Sequence, residues 1–290
     1  MDNKCSLQDL IGHIKDFNKH APKVSIEVKI GTLSGDVINQ IMGNPWFQSR
    51  IVNDKAKSNY FPCGVKDDDA LTIKKWFDRV TTLGECLYNL QQIEGYANQL
   101  ARLKSIEDIE SIVAELEGAK LFFRRGINIE FNHPVGVKGS DYDLKVKVDS
   151  GEYIPCEVTC AQEGTPFSDS ILLNKLRAKN DQLPKETAGL LIIKIPESWV
   201  SDSNCVNKVQ ASLSRFFSNS KRIGCVMFIW EQWEQDNKIK TIRLRPEINF
   251  GCRHSLDNIE IITQKLIEDE TSENWVNFPE LIRNTNTLKL

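Results

Sequence analysis

The sequence predicts an α/β protein with a mixed central sheet flanked by helices, behind a mainly helical N-terminal region. Three observations carry that prediction. Residues 189–195 and 224–230 are short apolar runs with turn residues beside them, the mark of strands buried on both faces. Residues 169–183 and 205–218, which precede them, place apolar side chains at helical spacing. Upstream, three strand-like segments at 127–131, 142–148 and 153–160 are divided by His133-Pro134 and by Asp149-Ser150-Gly151, both strong turn signals. From residue 105 the order is therefore α-β-β-β-α-β-α-β, a single α/β domain over 105–250.

The remaining elements follow in chain order. Residues 6–19 read as a short amphipathic helix, and 24–30 alternate like a strand. Residues 33–69 are irregular and end in the acidic run Asp67-Asp68-Asp69, a candidate helix cap. From 70 to 104 apolar residues recur at helical spacing, giving one long helix or two broken near Gly84. Ser105, with Asp108 three residues on, resembles a capping box for a helix that stops at Gly126. Lys240 to Arg245 form a further strand that can pair beside 224–230. The acidic stretch 256–280, with seven acids against one lysine, reads as a solvated helix or cover. Three regions result: 1–104, mainly helical; 105–250, the α/β domain; 251–290, an acidic extension packed on it.

At 290 residues the chain suits one large domain or two. Its 37 Lys+Arg against 40 Asp+Glu exclude a general basic coat, though not a local basic face. Residues 169–225 supply such a face, with nine bases and five acids. The opening residues carry no apolar signal core, and the longest apolar runs are too short to cross a bilayer. A soluble, cytoplasmic protein without membrane association is the expectation. Eight cysteines without a C-x-x-C pair and four scattered histidines complete no zinc spacing, so reduced, mostly buried thiols are expected.

Three acids stand out by position. Asp141 opens the second strand of the trio, Glu157 lies in the third, and Glu115 lies in the preceding helix, with Glu117 as its rival. In a hairpin turning at 149–151, the Asp141 and Glu157 ends lie roughly opposite. Two carboxylates projecting together repel unless a cation lies between them, which is how a hard divalent metal is held. Alternation puts Glu157 and Thr159 on one face, opposite Cys156, Val158 and Cys160. A strand this apolar seldom carries an unpaired charge.

These residues resemble the PD-(D/E)XK nuclease superfamily. The matching text is Ala114-Glu115-Leu116, Gly126-Ile127-Asn128-Ile129-Glu130-Phe131, Gly139-Ser140-Asp141-Tyr142-Asp143-Leu144 and Ile154-Pro155-Cys156-Glu157-Val158-Thr159. The likeness covers residues 105–196, about a third of the chain. It implies a restriction-endonuclease-like αβββαβ core and hydrolysis of phosphodiester bonds, of DNA, by water activated with Mg²⁺ or Mn²⁺. Asp141 and Glu157 would be the metal ligands and Glu115 an auxiliary one. Ser140 stands where the family has proline, and Thr159 where it has the lysine of E-x-K. A threonine hydroxyl offers a hydrogen bond without a positive charge. Family members carry that lysine elsewhere, and here Lys175, then Lys179, could supply it from the next helix. Lys145 shares the parity of Asp141 but stands about 13 Å further along its strand. The alternative implied by Thr159 is a nuclease-like fold without catalysis, serving as a nucleic-acid or protein interaction module.

Overall fold

The computed structural model describes residues 4–52, 60–61, 70–105, 109–133, 135–201, 203–234, 239–268 and 274–287. The expected cap at Asp67-Asp68-Asp69 lies outside them. The chain divides into two units: residues 1–92, 99–109 and 273–290 make the first, and 93–98 with 110–272 the second. The C-terminal extension is thus divided between the two.

The first unit is helical. Helices α1 (Leu7–His20), α2 (Ile26–Met42), α3 (Asn44–Phe47), α4 (Ala70–Asn89) and α5 (Tyr96–Ser105) lead the chain, with a π-helical turn over Gln48–Val52 after α3. Ser6 caps α1 through a capping box with Asp9. The expected strand over 24–30 is instead the start of α2. Ser25 caps it, and its alternation continues into Leu33, Val37, Ile38 and Ile41, which are buried at helical spacing. Seven alternating residues fit either period, and the following turns decide for the helix. Helix α4 runs through Gly84 without a break because Gly84 lies against the backbone of Ser34 on α2. The break falls later, at Gly95, whose φ of +80° and contact with the Phe131 carbonyl leave no room for a Cβ. Ser105 ends α5, its hydroxyl donating to the Arg102 carbonyl, and Asp108, the other half of the expected capping box, lies outside the described residues. The last helix of the chain, α11 (Phe278–Thr287), packs on α1 and α2. The residues before it are held by buried Glu85 and Asn89: Glu85 accepts from Trp275 Nε1 and Phe278 N, and Asn89 exchanges two hydrogen bonds with the Val276 backbone.

The second unit is the α/β domain. Its elements are α6 (Ile109–Phe123), β1 (Ile129–Phe131), β2 (Leu144–Lys147), β3 (Tyr153–Cys160), α7 (Asp169–Asn180), β4 (Gly189–Lys194), α8 (Ser198–Ser201), α9 (Ser203–Asn219), β5 (Ile223–Glu234), β6 (Ile239–Ile248) and α10 (Asp257–Ile267). The six strands form one mixed sheet in sequence order. β1, β2 and β3 pair antiparallel, β3, β4 and β5 parallel, and β6 antiparallel to β5. The parallel steps are bridged by helices because such a crossover needs a long connection. One face of the sheet carries the core of α7, α8 and α9: Leu172, Leu176, Trp199, Leu213 and Phe216 against Leu191, Ile193, Val226 and Phe228. The other face meets α6, where Gly118 lies against Val158 and Ile192. Cys5, Cys86, Cys156, Cys160 and Cys225 are buried free thiols, and Cys205 and Cys252 are half-buried. Among the described residues no helix is long and apolar enough to cross a membrane.

Candidate functional site

The site is set by the β2–β3 hairpin. Its turn closes with Val148 N donating to the Glu152 carbonyl, and Leu144 then pairs with Cys156. Counting one residue outward places Asp143 opposite Glu157, on the face that carries α7. Asp143 is buried, and its carboxylate accepts a hydrogen bond of 2.8 Å from the Val158 backbone N–H. That bond stands where ladder pairing between β2 and β3 ends, so the two strands part around the Asp143 side chain.

Glu157 is wholly buried. Its Oε1 accepts from the Lys179 ammonium, which reaches in from the last turn of α7 with a quarter of its side chain exposed. Its Oε2 is buried and meets no donor in hydrogen-bond geometry among the described residues. Burial pushes the Glu157 carboxyl up to about 7; Lys179 opposes that rise, as does Asp143, close enough to share a proton, while Glu115 adds to it. Burial disfavours the Lys179 charge, but Glu157, Asp143 and Glu115 outweigh it and hold its pKa above the ordinary lysine value. Buried Glu115, from α6, therefore acts on the same group of charges.

The expected residues fall into two sets. Glu157 stands here, and Glu115 acts on it through its charge, raising the Glu157 carboxyl. Glu117, the rival helix acid, instead pairs with Lys194. Asp141 is engaged by its own loop: its Oδ1 accepts from the backbone N–H groups of Val135 and Gly136, at 2.7 and 3.1 Å. The acid beside Glu157 is Asp143, two residues on. Lys175 is on α7, but the ion pair with Glu157 is made by Lys179, one turn further. Thr159 is buried one step beyond Glu157 on its face. Lys145 pairs with Glu130, which also accepts from the Tyr153 hydroxyl. The signal for Asp143 was present in the turn. A three-residue loop at 149–151 pairs 148 with 152, and hence 143 with 157.

Two buried carboxylates close enough to share a proton, Asp143 and Glu157, fit a hard divalent cation. Mg²⁺ is commonly held by one or two protein carboxylates and keeps several waters. Among the described residues no three His, Cys, Asp or Glu side chains form a ready-made metal cage. The donor set here is Asp143 and Glu157, with Glu115 in support. Compared with protein-family models, curated proteins and solved structures, the chain matches none.

Proposed function

We propose that the chain is a metal-dependent nuclease that hydrolyses phosphodiester bonds of DNA, with Asp143, Glu157 and Lys179 at its centre. The observation that carries this reading is the buried Glu157–Lys179 pair beside Asp143, where β2 and β3 part. The element order α6-β1-β2-β3-α7-β4 supports it, being the order of the PD-(D/E)XK nuclease core. In this reading the ligand role expected of Asp141 passes to Asp143, and the lysine absent at Thr159 is supplied by Lys179.

Asp143 and Glu157 would hold Mg²⁺ or Mn²⁺, which supplies charge neutralisation and a more acidic bound water. Asp143 is fixed for this by the Val158 amide, so its carboxylate is positioned before substrate arrives. Glu157 must be ionised to serve, and with its carboxyl pushed up to about 7 it loses its proton only near neutrality. Lys179 places an ammonium where charge develops on the scissile phosphate, the task Thr159 cannot perform. Its long side chain and partial exposure let it turn from Glu157 to a phosphate oxygen.

The test is cleavage of supercoiled and linear DNA with Mg²⁺, with Mn²⁺ and with EDTA. Cutting should need the ion and vanish in Asp143→Asn and Glu157→Gln, with the fold retained by circular dichroism. Cleavage that persists in EDTA, or in either variant, rejects this mechanism. A second reading has one observation in its favour: Lys179 already neutralises Glu157, as in a fold that binds without cutting. DNA binding without cleavage under either ion would select it.

A further inference from the structure

The segment 135–141, where Asp141 lies, is built as a rigid display beside the site. Asp141 Oδ1 gathers the amides of Val135 and Gly136, and Ser140 N donates to the Val137 carbonyl at 3.0 Å. Asn132 closes its base, donating from Nδ2 to the Ser140 and Tyr142 carbonyls and from its backbone N–H to the carbonyl of Asp143. Lys138 bonds Asp181 at 2.9 Å, and Asp181 also receives Arg222 at 3.0 Å. Asp181 follows Lys179 by two residues, so the segment is fastened to both strands of chain that supply the site.

This bracing holds up two apolar side chains that are more exposed than covered. Val135 is 61% exposed and Val137 55%. Two valines two residues apart on a tied loop lie outside the core, and fixing them at the surface gains little burial. A braced apolar tip next to a phosphodiester site suits insertion between base pairs, where it replaces lost stacking and bends the duplex. Prior bracing lowers the ordering cost of that insertion. Lys138 keeps 70% of its side chain exposed even while bonded to Asp181, and so can meet the flanking phosphate.

We propose that Val135 and Val137 form a wedge that enters double-stranded nucleic acid at a deformable step, with Asp141 as the positioning residue that holds it. The inference rests on the nuclease reading above and deepens it: the substrate is a duplex that can be unstacked next to the cut. Pyrimidine–purine steps open most easily and are the preferred targets.

The experiment uses the full chain without divalent ions and a duplex carrying a fluorescent adenine analogue at a single TA step. Unstacking brightens the analogue. Wild type should raise its emission several-fold and bind the duplex. The double variant Val135→Ser, Val137→Ser should abolish the rise and weaken duplex binding about tenfold, roughly the value of one lost apolar contact in a stack. Asp141→Ala should reduce the rise while leaving melting temperature unchanged, whereas Asp141→Asn, which keeps an acceptor oxygen, should restore most of it. Binding without brightening, no duplex binding, or a valine variant that behaves as wild type overturns the wedge. Brightening in a protein that cuts nothing under any divalent ion upholds the wedge and removes the nuclease reading, so the two failures are distinct.

Discussion

The second unit buries two lysine–glutamate assemblies on opposite faces of one sheet, and they are built differently. On the α6 face, Lys194 at the end of β4 pairs with Glu117 and with Glu231 at 3.1 Å, and Lys240 stands 3.9 Å from Glu231. Side chains there are 9% exposed or less, apart from Lys240 at 15%. On the α7 face, Lys179 meets Glu157 with the cation a quarter exposed, and Asp143 is close enough to Glu157 to share a proton. The first assembly surrounds its cation with acids and is closed to water. The second sets a further acid, Asp143, beside Glu157 and leaves its cation near the surface. A buried pair that only holds the fold together gains nothing from a second carboxylate beside its acid, because the like charge, or the proton that relieves it, adds cost. The contrast sets Glu157 apart from Glu117 and Glu231.

The largest effect that could break this comparison is in stability. Lys194→Met leaves Glu117 and Glu231 facing each other in a closed interior. Removing one partner from such a pair costs about 3–5 kcal/mol, read as a fall in the denaturant midpoint. Catalysis per folded molecule should be unchanged. If Lys194→Met unfolds no more easily than wild type, the α6-face assembly is not a structural lock and the distinction collapses.

The next effect is on rate. Lys179→Met should lower cleavage about 10²–10³-fold, the usual loss when a group stabilising developing charge is removed. Its stability should fall by much less than that of Lys194→Met. Glu157 already titrates near 7 and can take up a proton once its counterion is gone, so no bare charge stays buried. Equal destabilisation by the two lysine variants would show that Lys179 serves the fold.

The two faces also differ in how far the sequence disclosed them. The element order, the helix between the third and fourth strands and the parity of Glu157 were legible, because period-2 alternation and flanking turns are local signals. Glu115 was legible through its helix. Asp143 was masked by Asp141, which has the same parity and the more turn-like context. Only a residue count from 149–151 separates them, and only the structure shows Asp141 spent on backbone amides. Lys179 was ranked behind Lys175 for a similar reason. α7 starts beyond the end of β3 and runs back along it, and Glu157 lies three residues before that end. At about 1.5 Å per helical residue, one further turn is needed to come level with it. In the first unit, the alternation of 24–30 was too short to tell a strand from α2. The Lys194 assembly left no pattern in the sequence at all, since it joins α6, β4, β5 and β6 through contacts between distant residues.

A smaller effect lies in pH. The Glu157 carboxyl is raised from 4.5 to about 7, so the folded protein holds its proton more tightly than the unfolded chain does. The resulting stability is fully present below 4.5 and lost as pH rises through 7, by about 3 kcal/mol in all. Glu157→Gln should flatten that part of the stability–pH profile. Cleavage should move the opposite way, rising through about 7 as Glu157 becomes anionic and able to serve as a ligand. A cleavage profile flat between pH 5 and pH 8 would separate Glu157 from the reaction.

The smallest effect tests which lysine is used. Lys175 lies one turn before Lys179 on α7, and the Glu157 contact belongs to Lys179. Lys175→Ala should therefore change cleavage by no more than about twofold, and stability by less than about 0.5 kcal/mol, as for an ordinary half-buried helix lysine. The pair is sharpened by Thr159→Lys in the Lys179→Met background. Residue 159 is one step along the face from Glu157, so an ammonium introduced there returns positive charge beside the carboxylates without rebuilding α7. It should recover part of the lost rate, about tenfold, because position is restored less well than charge. Thr159→Lys in the Lys175→Ala background should give no comparable gain. If Lys175→Ala falls by the full 10²–10³ and Lys179→Met does not, the ammonium seen at Glu157 is only a counterion, and the catalytic cation is the one a turn earlier.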